Sequence, residues 1–356
     1  MTTFHKLSIK EVKRETADAV SVSFEVPTRL KKDYEFLPGQ YLTLKLHVNG
    51  EEIRRAYSLC NSPYDGSDLR VAVKKVKDGK GSNFINDHLK AGDSLEVMTP
   101  MGNFTSPLDP THKKNYFLFA GGSGITPMMA ILKAVLEKEP ESKISLYYGN
   151  FSPEATIFKS DLDGLAGEFN NRLSVTYVFE KAPAGYPENL TGNLNPKLIE
   201  NILKGTIVNS PENEFFICGP VPMMDNVKGV LEKMKVNPKQ VHIEYFTSGS
   251  AEDKKEISTP AENVNAKVTV IMYGLETTFN LNTKGPSILD KALEEGVDVP
   301  YACKGAVCCT CRAKVVEGKV SMRQNFALTD EEVAQGFILT CQSHPITPEV
   351  KVDYDS

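Results

Sequence analysis

Cys303, Cys308, Cys311 and Cys341 stand in a C-x4-C-x2-C-x29-C arrangement. Four thiolates satisfy a [2Fe-2S] cluster, two on each iron. Three ligands in one tight loop, with a fourth returning from a distant element, is the plant-type spacing. Zinc is the main competing metal, but its structural sites usually show two short Cys or His pairs; here one C-x2-C is joined by a longer step and a lone cysteine. Disulfide pairing is disfavoured because nothing at the N-terminus suggests secretion. Gly305 and Ala306 are small enough to bring backbone N–H groups against the cluster sulfurs, where such hydrogen bonds tune the potential. Cys60 and Cys309 are expected to pack as small hydrophobes outside the ligand set. A cluster of this kind moves single electrons, so the rest of the chain is expected to supply a donor.

Three further stretches carry chemistry. In an extended Arg55-Ala56-Tyr57-Ser58, Arg55 and Tyr57 share one face and Ser58 takes the other. That pattern could set a guanidinium on a pyrophosphate and a phenol against a flat cofactor, or be an exposed arginine and a strand tyrosine. Gly79-Lys80-Gly81-Ser82 precedes apolar Phe84, Ile85 and Leu89, with Ser82 expected as an N-cap. It reads either as an anion site at a helix start or as a simple capped helix. Gly121-Gly122-Ser123-Gly124-Ile125-Thr126-Pro127 follows the apolar run Asn115–Ala120 and precedes a helix over Met128–Glu139. Strand, glycine loop and helix is phosphate-binding topology, although the spacing is not G-x-G-x-x-G.

The elements that must position these groups fall into three parts. Residues 1–107 alternate at period two, as in Val20, Val22, Phe24 and Val26, with turns at Pro38-Gly39 and Asn49-Gly50; this predicts a small antiparallel β-barrel. Residues 108–247 alternate strands and helices, with strands over 144–148, 173–179, 214–218 and 241–246 and helices over 152–165, 195–204 and 223–235. This predicts an α/β parallel sheet with a second glycine loop at Cys218-Gly219-Pro220. Residues 248–263, rich in Ser, Gly, Glu and Lys, are expected to form a linker. Residues 264–356 open on a hairpin through Tyr273-Gly274 and continue through a helix over 287–295, the cysteine loop and a strand over 313–317. A Thr329–Glu332 capping signal follows, and the whole predicts an α+β, β-grasp-like domain.

Composition narrows the function. The chain of 356 residues is long enough for two or three cores, and 40% hydrophobic with 24% charged residues is ordinary for globular protein. A net charge of −5 with no basic cluster argues against nucleic acid. The most apolar stretch, Tyr116–Leu132, is broken by Gly121, Gly122, Gly124 and Pro127, so no membrane span is expected. Seven cysteines, four of them assigned to a cluster, fit a reducing cytoplasm.

In this order, Arg55–Ser58, Gly79–Ser82, Gly121–Pro127 and Cys218–Pro220 resemble the ferredoxin–NADP+ reductase superfamily. With a C-terminal plant-type ferredoxin, the chain resembles its oxygenase-reductase branch. Val299–Gly305, Val307–Lys314 and Leu339–Pro345 are similar to the phenylacetyl-CoA epoxidase reductase type. The resemblance implies an electron-transfer enzyme of phenylacetate catabolism, with a hydride from NAD(P)H passing to FAD N5 and electrons passing singly to the cluster and then to a di-iron oxygenase acting on an aryl-CoA thioester. Other oxygenases, hydroxylases or desaturases are alternative acceptors, and a non-catalytic redox-sensing carrier is the alternative class. By the same resemblance Arg55 holds the FAD pyrophosphate with the backbone of Gly81 and Ser82. Tyr57 packs on the isoalloxazine after Ala56, and Ser58 lies near N5. Gly121, Gly122, Gly124 and Thr126 bind the nicotinamide nucleotide, with Cys218, Gly219 and Pro220 beside the nicotinamide and Glu244 and Phe246 near the flavin. Relatives that prefer NADPH often carry arginine where Phe151 follows Asn150. Both nucleotides are therefore expected to serve, NADPH about tenfold better than NADH, with Lys159 and a helix starting near Ser152 as nearby positive groups.

Overall fold

The computed structural model describes residues 3–206, 208–246 and 263–356. The linker expected over 248–263 lies outside the described residues except for its last position.

Six antiparallel strands form the first sheet: β1 (Phe4–Thr16), β2 (Ala19–Glu25), β3 (Tyr41–Val48), β4 (Glu51–Ser58), β5 (Leu69–Lys74) and β6 (Ser94–Met98), in the order β4-β3-β6-β1-β2-β5. Val20, Val22 and Phe24 of β2 enter the barrel core beside Leu42, Leu44, Val71 and Val97. Ser21 and Ser23 point the other way and are also buried, which is tolerated because each is hydrogen-bonded, Ser21 to Glu15 (2.7 Å) and Ser23 to Arg70 (2.9 Å). Asn49 and Gly50 both have positive φ (53° and 80°), the hairpin geometry whose twist matches the strands it joins. Beyond β4, Leu59 bridges to Val71 of β5 and curls the sheet toward closure. Helix α1 (Lys80–His88) follows β5.

The second sheet is wholly parallel: β7 (Asn115–Gly121), β8 (Lys143–Asn150), β9 (Leu173–Phe179), β10 (Asn213–Cys218) and β11 (Val241–Glu244), in the order β11-β10-β7-β8-β9. Helices α2 (Ile125–Lys138), α3 (Lys159–Glu168), α4 (Pro196–Ile202) and α5 (Val221–Lys233) connect them. The chain runs outward from β7 to β9 and then returns to β10 on the other side of β7. The strand order therefore reverses between β7 and β10, and the crevice at their carboxyl ends is where open α/β sheets bind ligands. One departure concerns α3. The helix expected from Ser152 begins only at Lys159, after a short 3-10 turn at Pro153–Ala155, because Phe158 takes a left-handed conformation (φ 59°) that breaks any earlier start. A positive helix end at Ser152 is thus absent. The barrel and this sheet form one compact unit, and Ala19, Cys60, Ala72 and Phe104 join the apolar cluster under α2.

The third sheet belongs to a second compact unit. Its strands β12 (Asn265–Met272), β13 (Leu275–Asn282), β14 (Arg312–Glu317), β16 (Phe337–Leu339) and β18 (Glu349–Asp353) lie in the order β13-β12-β18-β14-β16, and β15 (Val320–Met322) pairs with β17 (Ser343–Pro345). Tyr273 and Gly274 again have positive φ at the hairpin. Helix α6 (Ile288–Glu294) is capped by Ser287, and α7 (Asp330–Ala334) starts on a full Thr329–Glu332 capping box. The core gathers Val268, Val270, Leu289, Val350 and Val352 beside Cys309, Cys311 and Cys341. No helix among the described residues is long and apolar enough to cross a membrane.

Candidate functional site

At the carboxyl ends of β7 and β10 two loops touch backbone to backbone. A Cβ on Gly124 would lie 2.1 Å from the Cys218 carbonyl oxygen, and one on Gly121 would lie 2.5 Å from Pro220 Cδ. One on Gly219 would fall 2.8 Å from the Gly121 amide nitrogen. No side chain fits, so glycine is required for the loops to meet. Gly122 is left-handed (φ 52°) with open space before it. Its carbonyl accepts a 2.9 Å hydrogen bond from Tyr148, a fully buried phenol that fixes the loop from below. Thr126 is buried in the first turn of α2, and its hydroxyl donates to Ser123 (3.0 Å), bracing the loop rather than facing the crevice. A cavity of about 450 Å³ opens here, lined among others by Gly121, Gly122, Asn150, Phe151, Glu180 and Pro220. The size, the bare glycine edge and the α2 N-terminus fit a nucleotide.

The parallel register sets Cys218 directly beside Glu244. Ser58 at the end of β4 donates from Oγ to Glu244 Oε2 (3.2 Å), so residues from three strands meet. Burial pushes the Glu244 carboxyl up to about 8 against the lowering effect of the Ser58 hydrogen bond. The Cys218 thiol is pushed well above its ordinary range, first by burial and then by Glu244. Glu244 therefore keeps its proton to a higher pH than an ordinary glutamate, beside the buried Ser58 and Cys218. Phe246 follows β11 with its ring exposed.

Arg55 is exposed on β4, Ala56 and Tyr57 are half-buried and Ser58 is buried, so exposure falls steadily along these four residues. Ser82 is not the N-cap. Gly79 holds that position, and Ser82 in the first turn uses its hydroxyl to bind Val76 N (3.1 Å) and Gly79 O (3.4 Å), closing the turn that precedes the helix. The first backbone bond of the helix runs from Asn83 N to Gly79 O, so the amides of Lys80, Gly81 and Ser82 precede the hydrogen-bonded ladder. The helix-start amides of α1 fit a phosphate group.

In the other unit the cysteine thiols come as two pairs. Cys308 Sγ lies 3.0 Å from Cys303 Sγ, and the Cys311 thiol shares a hydrogen bond with Cys341. In each pair one thiol is pulled down and the other pushed up: Cys303 falls to about 6 through Cys308 and the Gly305, Val307 and Cys308 amides, while Cys308 rises. Lys304 and Ala306 are left-handed (φ 51° and 64°), strained positions for non-glycine residues, and they turn amides inward; Gly305 N donates to Cys303 Sγ (3.3 Å). Gln342 adds a weaker contact to Cys341 Sγ (3.7 Å). Among the described residues no three His, Cys, Asp or Glu converge to hold one metal ion. Two pairs, with sulfur-directed amides, fit a two-iron cluster better than a single-ion cage. Cys309 turns away and bonds Ala327 O (3.3 Å), and Cys60 bonds Arg70 O (3.3 Å).

Sequence reading overlooked Tyr148, although Tyr148-Gly149-Asn150 lies next to the glycine loop once β8 is paired with β7. Lys159, a nearby positive group by sequence, lies in an ion pair. That ammonium is taken by Asp163 (2.6 Å) over the Tyr177 ring, at the first position of a helix that starts later than expected.

Comparison with known proteins finds three family models along the chain. Residues 6–106 match the oxidoreductase FAD-binding domain, 118–229 the oxidoreductase NAD-binding domain and 270–345 the 2Fe-2S iron-sulfur cluster binding domain. The chain is 39% identical to one of the subunits of 1,2-phenylacetyl-CoA epoxidase of Escherichia coli, over 100% of this chain and 99% of that one. It is 33% identical to the ferredoxin reductase component of 3-ketosteroid-9-alpha-monooxygenase of Rhodococcus rhodochrous, covering 98% and 96%. Phthalate dioxygenase reductase, a modular structure for electron transfer from pyridine nucleotides to [2Fe-2S], superposes over 98% of both chains with a TM-score of 0.59 at 26% identity. The three domain matches and these full-length relatives place the chain in the oxygenase-reductase branch of the ferredoxin–NADP+ reductase superfamily, as an NAD(P)H-dependent flavin iron–sulfur oxidoreductase.

Proposed function

We propose that this chain is the reductase of a di-iron oxygenase that acts on an aryl-CoA thioester, with phenylacetyl-CoA the substrate to test first. The observation that carries the proposal is the 39% identity to the E. coli epoxidase chain, which runs end to end in both proteins. The division into 1–107, 108–247 and 264–356 belongs to this reading, with one cofactor to each part. So does a cytoplasmic setting, supported by a chain of seven cysteines of which four are assigned to a cluster.

Bound FAD supplies the conversion of a two-electron hydride donor into single electrons, and a bound cluster carries those electrons onward. The chain's own residues bind, orient and hold a proton. Arg55 and the amides of Gly81 and Ser82 bind the FAD pyrophosphate, with Tyr57 against the flat ring. Gly121, Gly122, Gly124, Gly219 and Pro220 shape the nucleotide crevice, and Thr126 holds that shape from inside α2. Ser58, Glu244 and Cys218, brought together by the Ser58–Glu244 hydrogen bond and the β10–β11 register, would line the place where a nicotinamide meets a bound flavin. Glu244 would hold a proton beside a bound flavin, and Ser58, hydrogen-bonded to it, would lie near the flavin N5. Cys303, Cys308, Cys311 and Cys341 hold the cluster. NADPH and NADH both serve as donors.

The test is reconstitution with a purified di-iron oxygenase component, NADPH and phenylacetyl-CoA, with epoxide measured by mass spectrometry. Epoxide formation that requires this chain supports the reading. Efficient dye reduction without epoxide, together with coupling to a ketosteroid or other oxygenase, overturns the acceptor assignment and leaves the reductase assignment standing.

A further inference from the structure

Cys311 and Cys341 are brought together by one short antiparallel pairing. Arg312 of β14 stands opposite Leu339 of β16, so Cys311 and Thr340 become neighbours where the two strands part. There the Cys311 carbonyl accepts twice, from Thr340 N (3.2 Å) and from Thr340 Oγ1 (2.9 Å). Thr340 is fully buried, in the short 3-10 turn that carries Cys341.

The Thr340 hydroxyl is itself held by a second one. Tyr354 Oη donates to Thr340 Oγ1 (2.7 Å), which sets two O–H groups in series, each donating toward Cys311. A threonine hydroxyl has one hydrogen and two lone pairs. With a lone pair taken by Tyr354, its hydrogen is committed to the Cys311 carbonyl. Tyr354 is half-buried, and its ring packs on the core that contains Cys309, Cys311 and Cys341. Burial pushes the phenol above its ordinary range against the lowering effect of Thr340, so it remains a donor.

The place of the Tyr354 ring does not depend on its hydroxyl. Tyr354 N donates to Ile271 O (3.0 Å), and the Asp355 carboxylate accepts from Tyr273 N (3.0 Å) and Gly274 N (2.8 Å). These bonds pin the segment to β12 and to the turn that follows it, leaving the hydroxyl to serve Thr340 alone.

We infer that Tyr354 is a positioning residue for the [2Fe-2S] cluster: its phenol orients the Thr340 hydroxyl onto Cys311, and the two O–H dipoles raise the cluster's reduction potential. This rests on Cys303, Cys308, Cys311 and Cys341 being the ligand set. A cluster held there gains negative charge on reduction, and donors aimed at a ligand from a dry core favour that state. Hydroxyls in series polarise each other, so the outer one acts through the inner.

An anaerobic potentiometric titration of the cluster-loaded full chain, followed by the reduced-cluster electron paramagnetic resonance signal, tests the inference without turnover. At the native midpoint, Tyr354→Phe is expected to lower the reduced-to-oxidised ratio about threefold, within the net worth of one hydrogen bond. That is a fall of about 30 mV at 59 mV per tenfold. Iron content is expected to stay at about two per chain. Thr340→Ser keeps the hydroxyl and the native midpoint. Thr340→Val lowers the midpoint at least as far as Tyr354→Phe, and combining the two lowers it no further, because the phenol acts through Thr340. An unchanged midpoint in Tyr354→Phe, or an equal further fall when it is added to Thr340→Val, overturns the inference and leaves the ligand set standing. If Thr340→Val takes up no iron, the midpoint of Tyr354→Phe decides by itself. An unaltered protein that binds iron without a reducible [2Fe-2S] signal overturns the ligand set and the inference together.

Discussion

Ser58 Oγ donates a 3.2 Å hydrogen bond to Glu244 Oε2 across 186 residues of sequence, joining the end of a barrel strand to the last strand of the nucleotide sheet. The carboxyl it reaches lies on a half-buried strand, and desolvation pushes it up to about 8 from its ordinary 4.5. Between those values the folded chain holds a proton that the unfolded chain has released, so stability falls as pH rises through that window. Glu244→Gln removes the titration. Thermal midpoints of the flavin-loaded protein from pH 5 to 8.5 are expected to fall for the native sequence relative to the variant; parallel curves would mean that this carboxyl is ordinary in the folded protein.

Gly124 leaves no room for a side chain against the Cys218 carbonyl. Gly124→Ala must push the two loops apart, and overpacking of this kind costs about 1–3 kcal/mol. Denaturant unfolding is expected to show that loss, and dye-reductase kinetics a raised KM for NADPH. Gly164→Ala, where no neighbour lies within 4 Å in an exposed helix, is the control and is expected to be neutral or mildly stabilising. Equal behaviour of the two variants would contradict the loop-contact account.

The cysteine pairs predict a sharp contrast. Cys308→Ser and Cys311→Ser each break a pair and are expected to abolish the cluster's visible absorption while leaving NADPH-to-dye reduction largely intact, since the cysteine loop packs in its own core. Cys309→Ser, whose thiol bonds Ala327 O instead, is expected to retain about two irons per chain. Iron well below that in Cys309→Ser would show that the ligand set has been misassigned.

Much of this arrangement is legible locally. Asn49-Gly50 and Tyr273-Gly274 announce their hairpins because few residues adopt left-handed turns cheaply, and Thr329 with Glu332 announces its helix because both halves of the cap lie within one turn. The cysteine spacing is likewise a local record of a loop shaped to a metal. What sequence hides is tertiary. The pairing of Ser58 with Glu244, and the burial that retains a proton there, depend on two sheets meeting. The left-handed Phe158 delays α3 without any glycine or proline to signal it. Lys181 reaches Phe151 only through the parallel register of β8 and β9, which brings together residues about thirty positions apart in the chain.

The central claim is that reducing equivalents entering from NADPH leave through the two paired-cysteine ligand sets. Anaerobic addition of NADPH, followed by low-temperature electron paramagnetic resonance, tests it most directly. The reduced [2Fe-2S] signal is expected to appear within a turnover time in the native sequence and to be absent in Cys311→Ser, even though both preparations lose their flavin absorption. A native protein whose flavin bleaches while its cluster stays oxidised would contradict the account.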